Sequence, residues 1–127
     1  MSLSSSHLLG LEGVPSQDIT KILDTAENLK PILDRSIPKV PTLRGITVVN
    51  LFYEPSTRTR ISFELAEKRL SADTVNFSSS TSSAKKGETL RDTVRNIEAM
   101  RINMIVVRHS AAGVPYFLTQ CTDAKII

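Results

Sequence analysis

The stretch ITVVNLFYEPSTRTRISFELAEKRL, residues 46–70, decides the fold of this chain. Its first seven residues, ITVVNLF, are a continuous, β-branched run, the pattern of a strand covered on both faces. Its second half repeats apolar side chains at Ile61, Leu65, Ala66 and Leu70, which is helical spacing. Between the two stand Ser56, Thr57, Arg58, Thr59 and Arg60, five consecutive polar or cationic side chains. A buried strand that turns directly into a helix is one unit of an α/β protein.

The same alternation recurs outward from this unit. Upstream, Ser16 reads as the N-cap of a helix with Ile19, Ile22, Leu23, Ala26 and Leu29 on one side, which Pro31 should kink or end. SIPKVPTLRG (36–45) reads as an irregular connector. Downstream, DTVNF (73–77) is a short strand, and SSSTSSAKKG (78–87) is a small-residue loop with two lysines near its end. ETLRDTVRNIEAM (88–100) carries Leu90, Val94 and Ile97 at helical spacing. NMIVV (103–107) is a further buried strand leading into Arg108 and His109, a short helix follows around 115–121, and AKII (124–127) is a strand only begun. The expected fold class is α/β, a parallel sheet flanked by helices on both faces with right-handed crossovers. Because the last strand delivers the chain to no loop, the pattern is expected to be the first part of a longer α/β protein.

At 127 residues and 14.0 kDa the chain fits one domain with a modest core. Its 40% hydrophobic and 23% charged content is that of an ordinary globular protein. No apolar run approaches the roughly 18 residues that span a bilayer, so no membrane partner is expected. The first residues lack the cationic end and long apolar stretch of a secretory signal. With Cys121 as the only cysteine, which excludes an internal disulfide, this favours the cytoplasm. A net charge of +3, 5% aromatic content and no tryptophan argue against a nucleic-acid partner and for a small anion. Neither Gly-x-Gly-x-x-Gly nor a Walker-type glycine loop occurs, and no two histidines have metal-ligand spacing. Cys121 lies in an apolar helical context and reads as packing.

In open α/β sheets ligands sit beyond the carboxyl ends of the strands. Three polar groupings fall there in this reading: 56–60, 78–86 and 108–109. A helix N-terminus exposes free backbone N–H groups and favours phosphate, while Arg58 and Arg60 offer planar donor forks. Cations in the first turn oppose the helix dipole, a conflict that an anion relieves. The run by itself reads equally as a capped, solvated corner. The Ser/Thr loop with Lys85 and Lys86 reads by itself as a flexible linker, and His109 by itself as a structural histidine.

These residues resemble a known family, the carbamoyltransferases. Ser56 to Arg60, followed by Ser62, Phe63 and Glu64, match the family's carbamoyl phosphate motif. KKGETLRDT (85–93) and VVRH (106–109) are similar to the aspartate branch rather than the ornithine branch, and the resemblance runs from about residue 7 to the end. The resemblance implies that 1–127 is a carbamoyl phosphate-binding domain, incomplete at its C-terminal end, with the aspartate-binding domain absent. It implies that Ser56, Thr57, Arg58 and Thr59 bind the phosphate and that Thr59 and Arg108 reach the carbonyl oxygen. Catalytic roles then fall to Arg58, Thr59 and Arg108. Ser82 and Lys86 would enter the site of a neighbouring subunit of a homotrimer, itself open to larger assembly, and Glu54 and Arg60 would be structural or interdomain partners. The implied reaction joins carbamoyl phosphate to the amine of L-aspartate, an early step of pyrimidine biosynthesis, with no metal or other cofactor. Residues 1–127 alone are expected to be inactive, since the family's His-Pro-Thr-Gln segment and aspartate-holding arginines lie beyond Ile127. An ornithine-type enzyme and a non-catalytic phosphate-binding module are the alternatives.

Overall fold

A computed structural model describes residues 2–78 and 89–127. In chain order it contains α1 (Ser16–Leu29), a 3-10 turn (Lys30–Asp34), β1 (Thr47–Phe52), α2 (Thr57–Arg69), β2 (Asp73–Ser78), α3 (Leu90–Glu98), β3 (Met104–Arg108), α4 (Val114–Thr119) and β4 (Lys125–Ile126). These strands form one parallel sheet in the order β2-β1-β3-β4. The expected α/β class and parallel sheet are therefore observed.

Alternation along β1 and β3 divides the core into two layers, as a strand's period of two requires. Val49, Leu51 and Ile105 join Val94 and Ile97 of α3, Val114 and Leu118 of α4, and Ile126. Val48, Phe52 and Val106 form the other layer with Ala72, and Phe63 of α2 packs against it. Helices thus cover both faces. The chain steps from β1 to β2 on one side and then to β3 on the other, which makes the junction of β1 and β3 the topological switch point.

Several local expectations are corrected. Ser16 is the first residue of α1 rather than its cap; Pro15 holds the cap position, with no side-chain capping hydrogen bond. Pro31 does end the regular helix, in the 3-10 turn. α3 is shorter than 88–100: the Thr89 side chain accepts the Asp92 N–H at 3.1 Å, and Arg101 adopts φ 63° just beyond the helix end, which closes it without a glycine. The apolar stripe of α2 does not face the sheet. Ile61 and Leu65 are exposed, and the helix's buried residue is Glu67. Leu65, Ala66 and Leu70 instead line a shallow groove with Ala26 and Leu29 of α1 and Leu33 of the 3-10 turn. Cys121 is partly buried against the α3/α4 layer.

Candidate functional site

The strand registers bring the carboxyl ends of β1, β2 and β3 to one level. Phe52, the last residue of β1, is paired with Arg108 on one side and Ser78 on the other. Arg108 is the last residue of β3 rather than the residue after it, and its carbonyl accepts the Tyr53 N–H at 2.8 Å. The chain leaving β1 is thereby held beside the end of β3. Glu54 and Pro55 then turn it toward α2.

Ser56 occupies the cap position of α2 with φ −160° and ψ 83°, yet its side chain makes no capping hydrogen bond. Its hydroxyl instead donates to Thr59 Oγ1 at 2.8 Å. Arg60 N–H donates to Ser56 O at 3.0 Å, closing the first turn. The amides of Thr57, Arg58 and Thr59 precede that bond and are the donors that a helix N-terminus leaves for an anion. α1 and α3 carry an aspartate in the first turn, as the helix dipole favours, whereas the first turn of α2 has no acid.

Arg108 closes the arrangement from the neighbouring strand. Its Nη1 donates to Thr59 Oγ1 at 3.3 Å, and its Nη2 lies 3.8 Å from Glu54 Oε1. Its Nε is buried with no partner among the described residues. Ser56, Thr57, Arg58, Thr59 and Arg108 line one open hollow of about 640 Å³. These are the residues to which the sequence resemblance assigns phosphate and carbonyl contacts, and they meet although Thr59 and Arg108 are 49 positions apart.

The remaining candidates divide. Arg60 turns away to Glu64 on its own helix, Nη1 to Oε2 3.3 Å, in keeping with a structural role. Glu64 also accepts from Lys68 Nζ at 3.0 Å; hydrogen bonds from Lys68 and Asn76 hold its carboxyl below the usual range. His109 stacks obliquely on Tyr53, ring centroids 5.3 Å apart, and its Nδ1 accepts the Ala111 N–H at 3.0 Å. Ser82 and Lys86 lie outside the described residues. Among the described residues no group of His, Cys, Asp and Glu is placed to hold a metal ion, and no helix is long and apolar enough to cross a membrane. Sequence reasoning missed the buried pair Asn50 and Glu67 beneath α2, for which the signal was an asparagine inside an otherwise apolar strand.

What the hollow can do follows from its donors. Backbone amides, hydroxyls and the guanidinium groups of Arg58 and Arg108 converge from two elements on a solvent-open space, a set suited to a tetrahedral oxyanion. Residues 6–127 match the family described as aspartate/ornithine carbamoyltransferase, carbamoyl-P binding domain. The aspartate carbamoyltransferase catalytic subunit of Desulfotalea psychrophila is 63% identical over 124 residues, 98% of this chain and 39% of the relative. The catalytic subunit of M. jannaschii aspartate transcarbamoylase superposes with a TM-score of 0.86 at 35% identity, over 97% of this chain and 40% of that one. Aspartate transcarbamoylase from Trypanosoma cruzi, in complex with carbamoyl phosphate, superposes with a TM-score of 0.81 at 30% identity, over 98% of this chain and 38% of that one. The chain thus spans about 40% of the length of these proteins.

Proposed function

Because the chain belongs to the aspartate/ornithine carbamoyltransferase family through its carbamoyl-P binding domain, we propose that its hollow binds carbamoyl phosphate for transfer to the amine of L-aspartate. The observation that carries this reading is the convergence of Ser56, Thr57, Arg58, Thr59 and Arg108 on one space at the switch point of the sheet. The products are N-carbamoyl-L-aspartate and phosphate.

In the proposed reaction the amine attacks the carbonyl carbon, the carbonyl oxygen becomes an oxyanion, and the C–O bond to phosphate breaks as the carbonyl re-forms. The amine's proton passes to the departing phosphate, which leaves as hydrogen phosphate. In this reading Thr59 and Arg108 polarise the carbonyl, and Arg58 with the first-turn amides neutralises charge on the departing phosphate. Both substrates are anions, so a cationic site also offsets their repulsion. The full assembly is proposed as a cytoplasmic homotrimer in which Ser82 and Lys86 complete a neighbour's site. Residues 1–127 are proposed to hold the carbamoyl phosphate half only and to be inactive alone.

The test is turnover by the full-length polypeptide encoded by the gene, supplied with carbamoyl phosphate and either L-aspartate or L-ornithine. Aspartate is the expected acceptor. Preference for ornithine refutes the aspartate assignment, and phosphate binding without turnover on either amine supports a non-catalytic module instead. Carbamoylaspartate formed by purified 1–127 refutes the inactivity of this half alone.

A further inference from the structure

The sheet face of α2 is held by a polar contact where an apolar one is ordinary. Asn50, in the middle of β1, is fully buried, and Glu67 of α2 is 5% exposed. Asn50 Nδ2 donates to Glu67 Oε1 at 3.0 Å and to Asn76 Oδ1 at 3.2 Å. Thr74 Oγ1 donates to the same Glu67 oxygen at 3.1 Å. Asn50 and Asn76 are register partners on β1 and β2, so one carboxylate ties α2 to the two strands that leave for the site edge. Burial pushes the Glu67 carboxyl up, opposed by the hydrogen bonds from Asn50 and Thr74. Glu64, three residues before Glu67 on the same helix, is paired in turn with Arg60 near the start of α2.

An isolated buried carboxylate is costly, and an apolar side chain of similar size is usually no worse for stability. What a directional contact adds is a fixed place for the helix. The connector holds the C-terminal end of α2, through Val40 N–H to Arg69 O at 2.8 Å and Leu43 N–H to Leu70 O at 2.7 Å, but along its length apolar contact with the sheet is sparse: Ile61 and Leu65 are exposed and Phe63 is only partly buried. The hollow depends on that place, because Thr59 on α2 meets Arg108 on β3 through a hydrogen bond of 3.3 Å. A shift of about 1 Å in a supporting element is enough to spoil such a geometry.

We propose that Glu67, through Asn50 and Thr74, is a positioning residue that sets the height of α2 on the sheet and so aligns its N-terminal run with Arg108 for anion binding. This rests on the anion-site reading given above. The experiment is calorimetric titration of the full-length polypeptide with inorganic phosphate, comparing Glu67→Leu, Glu67→Gln, Thr74→Val and Arg58→Ala with the unaltered protein. Glu67→Leu is expected to weaken phosphate binding roughly tenfold, the scale of a lost hydrogen bond to a charged group. Glu67→Gln, which keeps an oxygen acceptor for Asn50 and Thr74, is expected to stay within about threefold. If Arg58→Ala abolishes binding while Glu67→Leu leaves it unchanged, the positioning role is overturned and the anion site stands. If Glu67→Gln binds as weakly as Glu67→Leu, the hydrogen-bond geometry is refuted as the cause. Unchanged binding in Arg58→Ala overturns the site itself. Should Glu67→Leu fail to fold, Thr74→Val decides: it removes one donor and keeps the carboxylate, and an affinity equal to the unaltered protein's refutes the proposal.

Discussion

Thr59 Oγ1 is the point at which two parts of the candidate site meet, accepting from Ser56 Oγ and from Arg108 Nη1. Thr59→Val keeps the shape and removes both bonds, so phosphate affinity should fall about tenfold in titration while the melting temperature moves little. Arg58 is exposed at the rim, so Arg58→Ala should fold normally and lose roughly 10²–10³ in kcat in the full-length polypeptide. Unaltered turnover refutes its role at the leaving group. At this scale the sequence was legible where chemistry is local, since Ser56 to Arg60 are contiguous. It did not show that Ser56 Oγ would turn to Thr59 instead of capping α2, because that choice depends on where Arg108 comes to lie.

Helix ends carry the next scale. α2 closes with Ser71 at φ 70°, its N–H on Lys68 O at 3.0 Å and the Ala72 N–H on Glu67 O at 2.9 Å. Arg101 takes φ 63° after α3 and is exposed, so Arg101→Gly should raise stability by about 0.5–1 kcal/mol in denaturant unfolding. At the end of α3, Glu98 accepts from Thr122 Oγ1 and, at 2.9 Å, from the Asp123 N–H, tying the helix to the turn before β4. Those hydrogen bonds hold its carboxyl below the usual range. A lowered carboxyl pKa means that the folded state binds this proton less readily than the unfolded chain. The contribution is therefore present above the ordinary glutamate pKa and is lost as pH falls through the lower, folded one. Glu98→Gln should flatten that acid limb, which unfolding measured across the carboxylate range will check. Strands and helices were readable here to within a few residues, and their ends were not, since both left-handed closures use residues other than glycine.

In the molecule as a whole, stability resides in the two layers on the sheet and not in the α1–α2 groove. Ile105 is fully buried in the α3/α4 layer, so Ile105→Ala should cost about 2–5 kcal/mol. Leu65 is 44% exposed on the groove, and Leu65→Ala should cost under about 1 kcal/mol. Comparable losses at the two positions would refute this division. Apolar periodicity predicted both positions as helix or strand faces without ranking them, because spacing records that a side is apolar and not what covers it. By itself the sequence determined the α/β alternation, the parallel sheet and the five-residue polar run, since each depends on residues near one another in the chain. Only the tertiary structure decided that β3 lies beside β1, that Arg108 therefore reaches Thr59, and that α2 rests on the sheet through Glu67. Those outcomes depend on strand order and on which helix face is turned inward, which contacts between distant segments settle.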